Sequence, residues 1–162
     1  DVPLLLRDVE STILPAAAKN HNELSVSISG SVGRMRADAL KLRQMLLNVL
    51  SNACKFTKNG RVSLNVDTYD QDGQAWILFE VCDTGIGIAK DHLERLFEPF
   101  FQGDNSIRRR FGGAGLGLAL TKNFCEIMGG HISVKSELGK GTICRICLPV
   151  FSISIPPVQM MG

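Results

Sequence analysis

The stretch Leu42–Thr57, L-R-Q-M-L-L-N-V-L-S-N-A-C-K-F-T, constrains the fold more than any other. Its residues Leu42, Met45, Leu46, Val49, Ala53 and Phe56 recur at helical spacing and predict one buried stripe. Asn48, Asn52 and Lys55 follow at i, i+4 and i+7. At ~100° per residue they form a second stripe, roughly 110° around the helix from the first. One face packs, and the adjoining face offers two carboxamides and an ammonium. Such a set has the chemistry of a metal–phosphate site, provided the rest of the chain supplies a place for the nucleotide.

The 162 residues, 44% hydrophobic and 21% charged, suit one globular domain with a sizeable core. A net charge of +2 is too balanced for a general binder of nucleic acid or membrane surfaces. No run approaches the ~18 apolar residues of a membrane span. Neither a repeat nor a low-complexity segment is visible. Of the five cysteines, Cys144 and Cys147 form a C-x-x-C inside T-I-C-R-I-C-L-P. That segment reads as a strand, in which residues three apart point to opposite faces, and no second pair stands at zinc-ribbon spacing. Buried, reduced strand cysteines are the better reading, and they imply a cytosolic compartment. His21, His92 and His131 read as surface residues.

Residues 3–19 carry a helical rhythm with a kink or break expected at Pro15. Residues 24–29 alternate strictly and predict a half-buried strand, 35–37 add a short one, and Asp38 can cap the central helix. Asn59-Gly60 is expected to end that helix. Val62 to Tyr69 and Ala75 to Asp83 read as a hairpin closed over Asp70-Gln71-Asp72-Gly73. A short helix over 89–96 follows, and then periodicity disappears from Glu98 to Gly117. An irregular stretch of this length inside a compact domain is usually a functional lid. A second amphipathic helix is expected from Leu116 to Met128, then strands over 131–136 and 142–149. The sum is an α+β fold: a two-layer sandwich, its mixed sheet mostly antiparallel with helices on one face. The domain spans 1–150, and 151–162 reads as a linker or tail.

Three stretches could carry chemistry. In Asp83-Thr-Gly-Ile-Gly-Ile, Gly85 and Gly87 let the backbone approach a ligand, and Asp83 can accept from an exocyclic amine such as adenine's. The same residues also suit an ordinary turn with a solvated Asp. Gly112-Gly-Ala-Gly-Leu-Gly-Leu opens the second long helix and leaves backbone N–H groups free where the dipole favours anions. It lacks a P-loop's Lys-Ser/Thr and follows no strand, so a hinge loop is the competing reading. Leu96-Phe-Glu-Pro-Phe-Phe-Gln packs aromatics before the lid, inside which Arg108, Arg109 and Arg110 lie. A guanidinium there suits a terminal phosphate, although a basic triplet is usually a solvated face.

These boxes, in this order, resemble the catalytic ATP-binding domain of sensor histidine kinases, within the gyrase, heat-shock chaperone, histidine kinase and mismatch-repair ATPases. The asparagine box is Asn48 to Phe56, and the first glycine box is Asp83-Thr-Gly-Ile-Gly. Phe97-Glu-Pro-Phe and Gly113-Ala-Gly-Leu-Gly follow, and Gly139-Lys-Gly-Thr142 closes the set. The resemblance covers residues 3–150 and implies the Bergerat sandwich, with ATP and Mg²⁺ as ligands. It implies that Asn52 coordinates Mg²⁺, that Asn48 helps hold the metal and phosphates, and that Lys55 contacts phosphate. Phe56 would pack near base or ribose, Asp83 would bind the adenine amine, and Thr142 would support it through water. Gly113, Gly115 and Gly117 would leave room for the triphosphate, and Arg109 would approach the γ-phosphate. Gly85, Gly87, Ile88, Phe97, Phe101 and Leu116 would complete the nucleotide pocket.

Ala114 stands where the family often has threonine, a change the turn tolerates. No phosphoacceptor histidine helix or receiver domain is visible, so the resemblance implies a catalytic domain apart from both. Its partners would be the parent kinase's histidine-bearing dimerisation domain and, downstream, a response regulator; nucleic acid is not among them. Alone, the domain is expected to be monomeric and cytoplasmic, to bind ATP, to hydrolyse it feebly and not to autophosphorylate. Many relatives of the parent are membrane-bound. A self-contained ATPase of the gyrase or chaperone branch would need glutamate in place of Asn48 as base for water. A protein-serine kinase would share much of the nucleotide site, and a degenerate binding module would keep that site without catalysis.

Overall fold

The period beginning at Leu42 becomes the middle helix of the computed structural model, which describes residues 1–29, 32–98 and 117–150. This helix, α2 (Ala39–Lys55), buries Leu42, Met45, Leu46, Val49, Leu50, Ala53 and Cys54. Asp38 caps its start by accepting from the Leu40 and Lys41 N–H groups at 3.0 and 3.1 Å. Phe56, expected on the buried stripe, is the half-buried C-cap instead.

Before it come α1 (Val2–Lys19) and β1 (Glu23–Ile28). Of the kink or break expected at Pro15, the break does not occur: α1 runs through that residue. Pro15 and Ser11 are exposed, so the carbonyl that loses its donor faces water and the missing bond is tolerated. The expected strand over 35–37 shrinks to a single bridge in which the Arg36 N–H donates to the Val150 carbonyl at 3.1 Å.

After α2 the hairpin forms from β2 (Arg61–Gln71) and β3 (Gln74–Asp83). It closes over Asp72-Gly73 alone, both at positive φ (54° and 79°), a tighter connection than the expected four residues and one whose twist matches the strands. Then come α3 (Lys90–Leu93), α4 (Gly117–Ile127), β4 (His131–Glu137) and β5 (Gly141–Pro149). The sheet order is β1-β2-β3-β5-β4. β1 pairs with β2 in parallel and every other pair is antiparallel. The α+β two-layer sandwich is thus the observed architecture.

The helix-facing side of the sheet presents Val62, Leu64, Val66, Ile77, Phe79, Val81, Cys144, Ile146 and Leu148 to the buried stripes of α1 and α2. α2 lies between α1 and α4 and touches both. The other side carries polar ladders: Ser27 Oγ to Asn65 Oδ1 at 2.7 Å, and Arg145 Nε to Glu80 Oε2 at 2.7 Å. At its hairpin end Trp76 stacks on Tyr69 (centroids 6.4 Å apart, planes 18°) and lies 5.9 Å from His131. All five cysteines are free thiols. Burial pushes the Cys125 and Cys144 thiols up to about 12, leaving no thiolate at neutral pH.

The C-terminal end of α2 departs most from expectation. The helix stops at Lys55 rather than at Asn59-Gly60, and the left-handed residue is Asn59 (φ 54°). Two side chains from the α1–β1 turn end it early. Asn20 Nδ2 donates to the Cys54 carbonyl at 2.9 Å. Buried Asn22 donates to the Cys54 and Thr57 carbonyls at 3.2 and 2.8 Å, while its Oδ1 accepts from the Gly60 N–H at 3.1 Å. An Asn22→Ala variant leaves the Thr57 carbonyl and the Gly60 N–H without these partners. At about 1–3 kcal/mol per unsatisfied group, a loss of roughly 2–6 kcal/mol is expected. It should appear as a lower urea midpoint at unchanged m-value.

Candidate functional site

Beyond Lys55 the chain passes beneath the turn that follows β3. The Phe56 carbonyl accepts from the Ile86 N–H at 3.1 Å. Any Cβ on Gly85 would collide with that carbonyl and with Thr57 Oγ1. Gly87 is at φ 74°, and a Cβ there would strike the Glu137 carbonyl. The two glycines of Asp83-Thr-Gly-Ile-Gly are therefore demanded by packing between α2 and the β4–β5 connection. That requirement holds beside any role in admitting a ligand.

Asp83 ends β3 in register with Thr142 of β5. Its Oδ1 accepts from the Gly85 N–H at 2.9 Å, and the Thr142 N–H also reaches the carboxylate. Thr57 is 1% exposed, and its hydroxyl has no hydrogen-bond partner within ordinary geometry. It still stands near enough to favour the charged carboxylate. Burial dominates and pushes the Asp83 carboxyl above its usual 3.8, against the pull of these donors. A half-buried carboxylate with acceptor capacity left, beside a buried hydroxyl without a bond, suits a ligand carrying both donor and acceptor atoms.

Ser136 joins the two glycine turns. Its Oγ accepts from the Ile88 N–H at 2.8 Å and donates to the Gly141 carbonyl at 2.8 Å. With that proton committed, the 2.8 Å contact between Ser136 Oγ and Thr142 Oγ1 has Thr142 as donor. The Thr142 oxygen can then only accept from the pocket side.

The polar stripe of α2 is divided. Asn52 and Lys55 are half-buried and make no side-chain hydrogen bond among the described residues. Asn48, by contrast, donates from Nδ2 to the Gly117 carbonyl at 3.3 Å and to Thr121 Oγ1 at 3.5 Å, and accepts at Oδ1 from Gln44 Nε2 at 3.0 Å. It thereby ties α2 to the first turn of α4. Phe97 is half-buried beside α4, with Lys122 Nζ 5.6 Å from its ring centroid.

Among the described residues, Asp83, Gly85, Gly87, Ile88 and Thr142 thus meet around one turn that is bonded to Phe56. Asn48 and Gly117 meet at the neighbouring helix pair. Phe101, Arg109, Gly113, Gly115, Leu116 and the lid lie outside the described residues. Nothing in the sequence singles out Asn22, Thr57, Thr121 or Ser136 for the parts they play. Thr57 directly follows the asparagine box and Ser136 sits on an alternating strand, but neither carries a motif of its own.

Donor chemistry also fits a hard divalent cation at the polar stripe. Carboxamide oxygens on Asn48 and Asn52 are neutral oxygen ligands. Mg²⁺ commonly takes few protein ligands and fills its shell with phosphate and water.

Residues 37–152 match the family described as histidine kinase-, DNA gyrase B- and HSP90-like ATPases. Over 137 residues the chain is 44% identical to the circadian input-output histidine kinase CikA of Synechococcus elongatus, covering 84% of this chain and 18% of that protein. Full-length ShkA, solved in complex with AMPPNP, superposes at a TM-score of 0.80 with 37% identity, over 96% of this chain and 31% of that one. The nucleotide-free catalytic domain of histidine kinase ThkA superposes at 0.78 with 22% identity, over 94% of each chain, a likeness of fold. The chain spans less than a fifth of the length of the curated relative it matches.

The raised Asp83 carboxyl has a consequence for stability. The folded state holds this proton more tightly than the unfolded chain does. Its contribution is therefore full below 3.8 and is lost as pH rises through the raised value. Asp83→Asn keeps an acceptor for the Gly85 N–H without a partly desolvated charge. It should raise the urea midpoint at neutral pH, by a margin that narrows on acidification. A margin independent of pH would show that the carboxylate charge is not what burial penalises.

Proposed function

The chain belongs to the histidine kinase-, DNA gyrase B- and HSP90-like ATPases, and from that premise we propose that it binds Mg-ATP and donates the γ-phosphate to a histidine on its parent's dimerisation domain. Its relatives among curated proteins are sensor histidine kinases, and the chain is a catalytic ATP-binding module of their kind. One observation carries the choice of acceptor. The side chain facing α4 from the middle of α2 is Asn48, a carboxamide whose nitrogen is engaged with the Gly117 carbonyl. It cannot take a proton from water, so the site supports transfer to another group rather than hydrolysis.

In this reading Asp83 accepts the adenine amine through the oxygen capacity that Gly85 and Thr142 leave open. Thr57 and Thr142 complete the polar edge of the base pocket, and Gly85 and Gly87 keep its wall as bare backbone. Phe56 and Ile88 pack near the base and ribose. Asn52 and Asn48 offer their oxygens to the metal and phosphates, and Lys55 offers its ammonium to phosphate. Bound Mg²⁺ supplies charge neutralisation across the phosphates. The chain's own contribution is to hold the reacting ends in line. Phe97, Phe101, Gly113, Gly115, Leu116, Gly117 and Arg109 are assigned to the lid side of the same pocket. The base assisting the acceptor histidine lies on the dimerisation domain, and a response regulator takes the phosphate onward. The module is monomeric, cytoplasmic and confined to 1–150, with 151–162 as a tail.

Mixing this chain with a separately produced histidine-bearing dimerisation domain and γ-labelled ATP should place acid-labile, base-stable label on that domain and none on this chain. Label appearing only as free phosphate would sink the transferase reading in favour of an ATPase. In calorimetry, Asn52→Asp and Asp83→Asn should each weaken nucleotide binding by about tenfold or more, the loss expected of a ~1.4 kcal/mol contact. Unchanged affinity in both would mean that the site is misplaced.

A further inference from the structure

Asn48 has a neighbour that the proposed mechanism does not use. Thr121, in the first turns of α4, is a polar side chain with 0% exposure. Its Oγ1 donates to the Gly117 carbonyl one turn back, at 2.8 Å. A back-bond of this kind is ordinary for threonine in a helix. Here it has a second effect, because the only hydroxyl proton is committed and the Thr121 oxygen is left purely an acceptor. The Gly117 carbonyl is an acceptor too. Asn48 Nδ2 faces both, at 3.5 and 3.3 Å. A carboxamide turned the other way would set its oxygen against two acceptors and leave its NH₂ on the opposite side.

The opposite side is the outward one. Gln44, one turn earlier on α2 and exposed, donates to Asn48 Oδ1 at 3.0 Å. A solvent-accessible donor now holds the oxygen that a metal would need, and that donor can swing away. The inward bonds are made by the buried Thr121 hydroxyl and by the helix backbone at Gly117, which cannot.

We infer that Thr121 is a positioning residue that fixes the rotation of the Asn48 carboxamide, so that Oδ1 rather than Nδ2 is offered to a Mg-nucleotide. This rests on the reading of Asn48 as a metal–phosphate contact. The role needs a hydroxyl that is itself hydrogen-bonded away from Asn48. Serine can fill it, whereas valine of the same shape or alanine cannot.

The test is calorimetric titration of this chain with AMPPNP, with and without Mg²⁺, for the parent sequence and for Thr121→Val, Thr121→Ala and Thr121→Ser. The parent sequence should bind more tightly with Mg²⁺. Thr121→Val and Thr121→Ala should lose most of that gain, a loss of about 10-fold as for other residues that orient metal ligands. Their metal-free affinities should change less than about twofold, a discrimination that local loosening of the fold would not produce. Thr121→Ser should restore the gain. Full retention of the Mg²⁺ gain in Thr121→Val overturns the positioning role while leaving the site reading intact. Equal weakening in both arms also overturns it, because that marks a packing defect. A parent sequence with no Mg²⁺ gain overturns the metal reading and this inference together, and the parent titration alone reveals that case.

Discussion

The carboxyl end of α2 is where the structure is tied together. A helix end exposes carbonyls that need donors, and here they are buried beneath other backbone instead of facing water. Asn20 and Asn22 supply donors from the α1–β1 turn, and the Ile86 N–H supplies one from the turn after β3. The same few atoms therefore fix the helix layer, the parallel edge of the sheet and the glycine turn relative to one another. The polar stripe of α2 and the Asp83 carboxylate are on different elements. Their separation is fixed only because this junction admits no side chain at Gly85 and no slack at Phe56.

That arrangement explains which parts of the molecule were legible in the sequence. Helix α2, its Asp38 cap and the β2–β3 hairpin rest on local rules: apolar period, capping chemistry, alternation and a turn dipeptide. Their residues act on neighbours a few positions away. Asn22 reads as one more polar turn residue because its partners are 32 to 38 positions distant. Ser136 reaches 48 positions to Ile88. Thr121 meets Asn48 across 73. The early stop of α2 is the same lesson in reverse. Asn59-Gly60 is a sound local end signal, but side chains from elsewhere claim the carbonyls first. Pro15 failed as a helix breaker because its cost falls on an exposed carbonyl, which a residue pattern does not reveal. For the candidate site, the boxes named the turn and the helix, whereas the bonds between them came only from the fold.

Asp83 shows how the site and the fold pull against each other. A carboxylate at the end of a central strand is costly to desolvate, and the donors around it offset only part of that cost. Its retention is intelligible if a ligand uses the remaining acceptor capacity. Thr57, buried with a hydroxyl that lacks a bond, fits the same account. Two polar groups left underbonded side by side are a binding surface, whereas either alone would be a minor defect of packing.

The aromatic stack on the far side of the sheet bears on how such a molecule can be watched. Trp76 is the only tryptophan and Tyr69 the only tyrosine in the chain. They stack at the hairpin end of the sheet, whereas Asp83 closes the other end of β3. At about 3.3 Å per residue, seven residues put roughly 23 Å between the indole and the carboxylate. The chain's intrinsic ultraviolet emission therefore comes from a place remote from the nucleotide turn. It reports the integrity of the sheet and is nearly blind to what occupies the pocket. The natural fluorophore of this fold is a gauge of folding, and occupancy has to be read from the ligand's side.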